Sequence, residues 1–477
     1  MESTRVLPSN ADYRNVLPLA VHSTSQRRIF FPVNGATFTS DGNNIIRIDI
    51  SADAFLDPKH SYLKFRFTNN AGAAISCGFD FGGGHGFIRR MRVEQAGQVL
   101  SDVNSYNKLM SSILLPAQGD ANSCAHRSIT EGQRWANDGA NGNSMAPTQA
   151  GDITGASLTT CSNSDGLVAV ATSWDFCIPL VNGLLGTTQD KLVPLQLLGS
   201  APITLEIELA DMLDIGVYSA QPAVGTNYSI TNVRYMAQLV EVPAEVNAQL
   251  RMVQELSGGK LVMNGTDFTH FNGNIAAGAT GQVSINVPAR RKSLKSLFFV
   301  GSGLNFAAPA RRDQVYNLSY GGNFNMNTYQ MKIGSIMVPP TPVQCDFDLG
   351  NGPFFTRGET LMELKKCFGT LSTTEGTGSL NTSNYMINTC ANAGMVLPSP
   401  PGAVNITYEF SPFGIDLESF QRTAIESGVN TADRATPITL LLNIGAAGNV
   451  DAVNVDAYVA YDSLYYIDQS GVIRVSI

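Results

Sequence analysis

Charge is scarce in this sequence. Only 15% of its 477 residues are Asp, Glu, Lys or Arg, against about 25% in an average soluble domain. So thin a charged surface suits burial against other subunits, because interface cores are depleted in Lys, Glu and Asp. The formal net charge of −8 excludes the chain as a whole as a polyanion binder and leaves only local contacts with nucleic acid. Histidine is scarce too: His22, His60, His85, His126 and His270 are the full set, and none stands in H-E-x-x-H. No G-x-S-x-G elbow and no G-x-x-x-x-G-K-[ST] loop occurs, so the usual signatures of zinc, serine and nucleotide chemistry are missing.

The seven cysteines (Cys77, Cys124, Cys161, Cys177, Cys345, Cys367 and Cys390) show no C-x-x-C spacing. Neither a zinc site nor a disulfide framework is indicated, and reduced thiols in a protein made in the cytosol are expected. No apolar run approaches the roughly 20 residues of a membrane span. The opening MESTRVLPSNADYRNVLPLAVHSTSQRR lacks the apolar core of a signal peptide, so secretion by the usual route is not expected. Trp135 and Trp174 are the only tryptophans, and Asn-x-Ser/Thr sequons at Asn227, Asn264, Asn317, Asn381 and Asn405 are what this composition gives by chance.

What the sequence does have is period-two alternation. Ile46, Ile48 and Ile50 oppose Arg47, Asp49 and Ser51; Leu63, Phe65 and Phe67 oppose Lys64, Arg66 and Thr68. Ile203, Leu205, Ile207 and Leu209 oppose Thr204, Glu206 and Glu208. Each segment reads as a strand with one face in a core and one outside it, as in antiparallel sandwiches. Strands recur at short spacing and helices are few, which argues for an all-β chain. The clearest helix lies mid-chain in VPAEVNAQLRMVQELSGG, with Pro243 in its first turn, Val246, Leu250 and Val253 on one face, and Gly258 at its stop. A second short helix is expected from Glu359 to about Phe368.

The stretches on either side of the central helix echo one another. NGATFTSDGNN at Asn34 returns as NGTDFTHFNGN at Asn264, and APITLEIEL at Ala201 returns as TPITLLLNI at Thr436. ITNVRYMAQLVEV is answered by VNVDAYVAYDSLYYI. A fourth match sets the Ala96-Gly97 turn and Asn104 against Gly321-Gly322 and Asn327. Four landmarks in one order argue for a duplicated domain. Each half carries a long insertion at the equivalent place, about 117–172 and about 341–404, and such loops are usually functional or disordered.

FDFGGGHGFIRRMRVE, from Phe79, looks at first like a phosphate cradle. Such a cradle needs a helix after the glycines to supply its amides, yet IRRMRVE alternates as a strand, with Met91 and Val93 opposite Arg92 and Glu94. The glycines therefore read as a tight corner with positive φ, and His85 beside them as a turn residue. Asp346 and Asp348 in CDFDLGNG read as a strand entering a turn, without the further spaced oxygens of a calcium site. The pairs Arg89-Arg90, Arg290-Arg291 and Arg311-Arg312 read as solvated edges or salt bridges. No residue is assigned a catalytic, cofactor-binding or metal-binding role, and no cofactor is expected; the chain does not read as an enzyme.

FFPVNGATF (Phe30 to Phe38), FLDPKHSYLKFRFTN (Phe55 to Asn69) and GFIRRMRVEQAGQVLSDVNSYN (Gly86 to Asn107) carry a resemblance to a known family, joined by FGIDLESFQRTAIESGVNT (Phe413 to Thr431) with its Ser427, Gly428 and Asn430 turn. In this order they resemble the double jelly-roll major capsid proteins of double-stranded DNA viruses. The polinton-like virus and virophage branch is most similar, and the large algal DNA viruses more remotely so. The resemblance implies an all-β fold of two tandem eight-stranded antiparallel jelly rolls, a double jelly roll, with a linking helix and long loop insertions. Its expected parts are an N-terminal arm over 1–28, a first jelly roll over 29–242, a linker helix over 243–258 and a second jelly roll over 259–477.

The resemblance further implies a homotrimer, a pseudo-hexameric capsomer tiling an icosahedral virion capsid, made in the cytosol of an infected host cell. Partners would be other copies of the chain, penton and minor capsid proteins, and a host receptor. The insertions would rise as towers on the outer face. The N-terminal arm, with Arg5, Arg14, Arg27 and Arg28, would lie inside and meet neighbouring capsomers, DNA or a membrane. The rival reading is a two-domain jelly-roll carbohydrate-binding or attachment protein using the same loops. A third, a β-sandwich glycosidase, would need paired carboxylates that the sequence does not display.

Overall fold

A computed structural model describes residues 23–70, 77–79, 82–118, 127, 130–132, 167–168, 173–187, 191–199, 201–218, 227–303, 318, 321, 324, 326–345, 357–368, 380, 385, 411–418, 428–433, 437–445 and 452–476. The chain begins with β1 (Thr24–Phe30), β2 (Thr37–Phe38), β3 (Ile45–Ile50), β4 (Phe55–Asn70) and β5 (Cys77–Phe79). A buried 3-10 turn, Gly83–Phe87, leads into β6 (Ile88–Gln95) and β7 (Gln98–Asn104). Short helical segments Tyr106–Lys108, Leu109–Leu114 and Leu115–Gln118 follow. Next come β8 (Leu167–Val168), β9 (Ser173–Ile178), β10 (Val193–Pro194), β11 (Ile203–Leu209), β12 (Gly216–Tyr218) and β13 (Asn227–Glu241).

Helix α1 (Ala244–Leu256) then connects to β14 (Leu261–Ile275), β15 (Gly281–Asn286), β16 (Leu294–Gly303), β17 (Met326–Ile333) and β18 (Ile336–Gln344). Helix α2 (Arg357–Lys366) precedes β19 (Phe413–Asp416), β20 (Ile438–Ile444), β21 (Val453–Ile467) and β22 (Ile473–Ser476). The second set of strands forms the sheets β14-β21-β16-β19 and β15-β20-β17-β18, all antiparallel. Counted from β14 as one, the orders are one-eight-three-six and two-seven-four-five, the arrangement of a jelly roll. The first set repeats it: β1-β13-β4, with β9 on the far edge of β4, accompanies β3-β11-β6-β7. The fold is therefore an all-β double jelly roll.

Alternation builds each core. The residues expected to point inward on β3, β4, β6 and β11 are the buried ones, including Ile48, Phe67, Met91 and Leu205. Phe67, Phe79, Phe87 and Tyr228 meet with ring centroids 5.1–5.8 Å apart. Phe299, Tyr329 and Phe413 do the same in the second roll.

Three expectations need correction. The tight turn equivalent to Ala96-Gly97 is Gly334-Ser335, between β17 and β18, and not Gly321-Gly322. Ala96 and Gly97 have φ 51° and 78° and Gly334 has φ 60°; Asn104 ends β7 whereas Asn327 lies in β17, one strand earlier. Helix α1 docks through Val246, Leu250 and Gln254, while Val253 is exposed. A helix lying on a surface buries only a narrow i, i+4, i+8 stripe, and Gln254 Nε2 anchors this one by donating to Ile467 O at 3.1 Å. Only Gly83 of the glycine corner has positive φ, at 51°. Gly82 and Gly84 are needed for space, since a Cβ there would meet Ser111 Oγ at 2.0 Å or Ile178 Cγ2 at 2.8 Å.

Residues 24–28, placed in the arm from sequence, form part of β1 against β13, and residues 1–22 lie outside the described residues. Most of both insertions also lies outside them. The first contributes β8, which pairs with β5. The second begins later than expected, because β18 runs to Gln344, and it contains α2.

Candidate assembly surfaces

The two rolls meet in a seam that is continuous with the first core. Phe268 on β14, Phe298 and Val300 on β16, and Tyr458 and Ala460 on β21 belong to the same buried apolar cluster as the first roll's own interior. β21 is thus covered on both faces: Val455, Ala457 and Val459 point into the second core, while Tyr458 and Ala460 point toward the first roll. Polar contacts pin the seam. Tyr458 donates to Ser105 O at 3.0 Å. Gln95, buried at the end of β6, donates to Gly471 O at 3.1 Å and accepts from Ile473 N at 2.9 Å. Lys108 Nζ lies 3.9 Å from Asp456 Oδ2, whose other oxygen meets His270 Nε2 at 2.8 Å. The backbones approach so closely that a Cβ on Gly265 would lie 2.2 Å from Gly183 O.

Asp267 sits in the same seam with no exposed surface. Its Oδ1 accepts from Phe268 N at 2.9 Å, and Oδ2 has no hydrogen-bond partner. Burial raises its carboxyl to about 6, against the opposing pull of Ser101, the Phe268 and Gly183 amides and Arg291.

The equivalent surfaces on the other sides of the molecule are open. The outer face of β1-β13-β4, the counterpart of the β14-β21-β16 face, carries Arg27, Tyr62, Lys64 and Arg66. Arg66 forks onto Asp175 at 2.6 and 3.0 Å, and Arg27 reaches the Tyr62 hydroxyl at 3.5 Å. Whereas the β6–β7 turn is docked through Gln95, the equivalent β17–β18 turn presents Ile336, 65% exposed, and Met337 to solvent. The edge strand β18 also carries Pro339, Pro340 and Pro342, which suit a sheet edge because they need no ladder partner. On α1, Met252 and Leu256 are exposed as well.

The residues singled out from sequence mostly find structural partners. His85 is no surface turn residue: it is fully buried, with Nδ1 3.1 Å from the Tyr106 hydroxyl. Arg90 forms a two-pronged pair with Asp102, and Arg89 lies 3.5 Å from Glu208. Arg291 stacks 4.2 Å over Tyr461 and donates to Thr269 Oγ1 at 2.8 Å. Arg311-Arg312, Asp346 and Asp348 lie outside the described residues, as does Ser427. Gly428 and Val429 pack against the start of β16, where Val429 and Leu294 exchange 3.0 Å backbone bonds. That part of the turn therefore ties into the second roll's own sheet. Cys177, Cys345 and Cys367 are not joined in disulfides. Among the described residues no group of three or more His, Cys, Asp or Glu side chains could hold a metal ion.

No protein-family model matches the sequence, and no curated protein matches it. Solved structures do match over nearly the whole chain. The PBCV-1 virus capsid aligns with a TM-score of 0.54 at 11% identity, covering 98% of this chain and 99% of that one. A chain of the Sputnik virophage aligns at 0.53 with 10% identity, covering 100% and 93%. The Faustovirus major capsid protein aligns at 0.52 with 9% identity, covering 97% and 92%. At these identities the likeness is one of fold. This chain has the double jelly-roll fold found in viral major capsid proteins.

Proposed function

We propose that the protein is a major capsid protein, a structural subunit without catalytic function that assembles as a homotrimer into pseudo-hexameric capsomers of an icosahedral virion shell. The observation that carries this reading is the inequality of equivalent surfaces. Within one chain, the β14-β21-β16 face and the docked β6–β7 turn make the seam, while the β1-β13-β4 face and the β17–β18 turn stay open. A head-to-tail contact between the two open surfaces, made by successive copies, repeats the internal seam around a ring. Heterologous contacts of this kind close when the rotation allows, and three two-roll chains then give six similar blades. The low charge and the exposed Ile336 and Met337 support the same reading.

In this proposal the chain divides into an arm, two rolls and the linker helix near the boundaries expected from sequence. The insertions form the outer towers, and the arm faces inward toward neighbouring capsomers, DNA or a membrane. Penton and minor capsid proteins would be further partners, and the infected host cell's cytosol the place of synthesis.

Light scattering after size exclusion tests the core of it. The wild-type chain is expected to run as a trimer that persists in high salt. An Ile336→Asp/Met337→Asp variant is expected to run as a monomer with an unchanged urea midpoint. A wild-type monomer at every concentration would sink the shell reading, and saturable glycan binding by that monomer would favour the attachment protein.

A further inference from the structure

The seam between the rolls is not completely filled. A cavity of about 470 Å³ opens between the helical segments after β7, the glycine corner and strands β14 and β16. Leu114, Leu115, Phe268, Phe298 and Phe368 give it an apolar wall, with Phe298 and Phe368 stacked at 5.1 Å. Its size falls in the range of small-molecule sites, roughly 300–1,000 Å³.

His85, Arg127 and Glu131 supply a polar lining to the same cavity. His85 Nδ1 is occupied by Tyr106, which leaves Nε2 as its free end. That nitrogen lies 3.4 Å from Glu131 Oε2, close enough to attract but without hydrogen-bond alignment. His85 Nε2, Glu131 Oε2 and Arg127 Nη1 are all buried and all lack a hydrogen-bond partner. Leaving buried polar atoms without a hydrogen-bond partner is costly, and three of them line this one chamber. Water could satisfy the polar lining but gains nothing against five apolar side chains. An amphiphile satisfies both.

The charges already present decide the kind of head group. Burial would raise the Glu131 carboxyl, but His85 and Arg127 outweigh it and hold the group below the ordinary range, so it is ionised at neutral pH. Arg127 Nε balances it at 3.9 Å. Elsewhere in the lining, Lys295 Nζ is balanced by Glu418 at 3.3 Å and by Asp462 at 3.5 Å. Among the described residues, a ligand bearing a full charge would have no free counter-charge, and burying an unpaired charge is costly. We propose that this cavity binds an uncharged single-chain amphiphile. Its hydroxyl or amide head donates to Glu131 Oε2 and accepts from Arg127 Nη1, and its alkyl chain lies along Phe298 and Leu114. The site is built from both rolls of one chain and does not depend on assembly. An occupant would clamp the seam and raise the thermal midpoint by mass action.

Native mass spectrometry and calorimetry of the full chain with decanol, decanoate and decylammonium test this. Decanol is expected to saturate at one molecule per chain, at least about tenfold tighter than either charged analogue, a difference of about 1.4 kcal/mol. Leu114→Trp fills the chamber and should abolish the site. Glu131→Gln leaves Arg127 unbalanced and should shift preference toward decanoate, a readout that does not rely on the bulkier variant folding. Absence of saturable decanol binding to the wild-type chain would overturn the proposal. So would decanol binding that a folded Leu114→Trp variant retains, or tighter binding of a charged analogue to the wild type.

Discussion

Two faces of this molecule occupy equivalent places in the two rolls and have opposite chemistry. The outer face of β14-β21-β16 presents Phe268, Phe298, Tyr458 and Ala460 and is buried against the first roll. The outer face of β1-β13-β4 presents Arg27, Lys64 and Arg66, with the charges tied up in pairs such as Arg66 with Asp175. Under the proposed capsid function, the difference follows from when each face is covered. A seam within one chain closes during folding and can be as apolar as a core. A surface that waits for a second copy must stay soluble first, and non-obligate interfaces are accordingly about as polar as the rest of the surface.

Variants can break or sharpen this contrast. Phe298→Ala, which removes a fully buried ring from the seam, is expected to cost about 3–5 kcal/mol in urea unfolding. An equal loss in both rolls' spectroscopic signals would show the seam and first core to be one unit. Asp267→Asn comes next and has the opposite sign. A carboxyl raised from 3.8 to about 6 by folding holds its proton more tightly in the native state. Its contribution is present in full below the unfolded value and is lost as pH rises through about 6. The wild type should therefore lose up to roughly 3 kcal/mol of this contribution between pH 4 and 7. The Asn variant should be the more stable at pH 7 and show a flatter profile, read by thermal melts across that range.

Gln95→Leu has a smaller effect, roughly 1–3 kcal/mol, because it strands Ile473 N and Gly471 O in the seam. Hydrogen exchange at Ile473 should rise in that variant before exchange within β21 does. Arg66→Ala is the smallest. It should leave the urea midpoint of the lone chain where it was, because the side chain is exposed and exposed pairs contribute little. Under the capsid reading it should nonetheless shift the trimer–monomer balance seen by light scattering.

The fold was legible because the strands that define it alternate cleanly, as in β3, β4 and β11, and because two of the four paired landmarks fall on equivalent strands, β11 with β20 and β13 with β21. Where sequence reasoning slipped, a second covering surface had changed the meaning of the pattern. Asp267, in NGTDFTHF, stands opposite Tyr461 in register and on the other face of β14 from Phe268, yet it is fully buried beside Gly183 of the first roll. The signal that could have shown this is β21: VAYDSLYYI is apolar on both faces, the mark of a doubly covered strand. Gln95 gave no signal, since a glutamine before an Ala-Gly turn looks like ordinary turn chemistry. Val253 was misplaced because an apolar residue on a surface helix is equally compatible with docking and with exposure.

Gln95 also sets an order of events. Its partners, Gly471 and Ile473, lie 376 and 378 residues further along the chain. The first roll can gather its strands long before, but the latch that fastens it to its twin arrives only once the second roll has been made through to β22. A chain broken off early would carry the apolar cluster without its cover, and would be conspicuous to chaperones and proteases in a way that a finished chain is not.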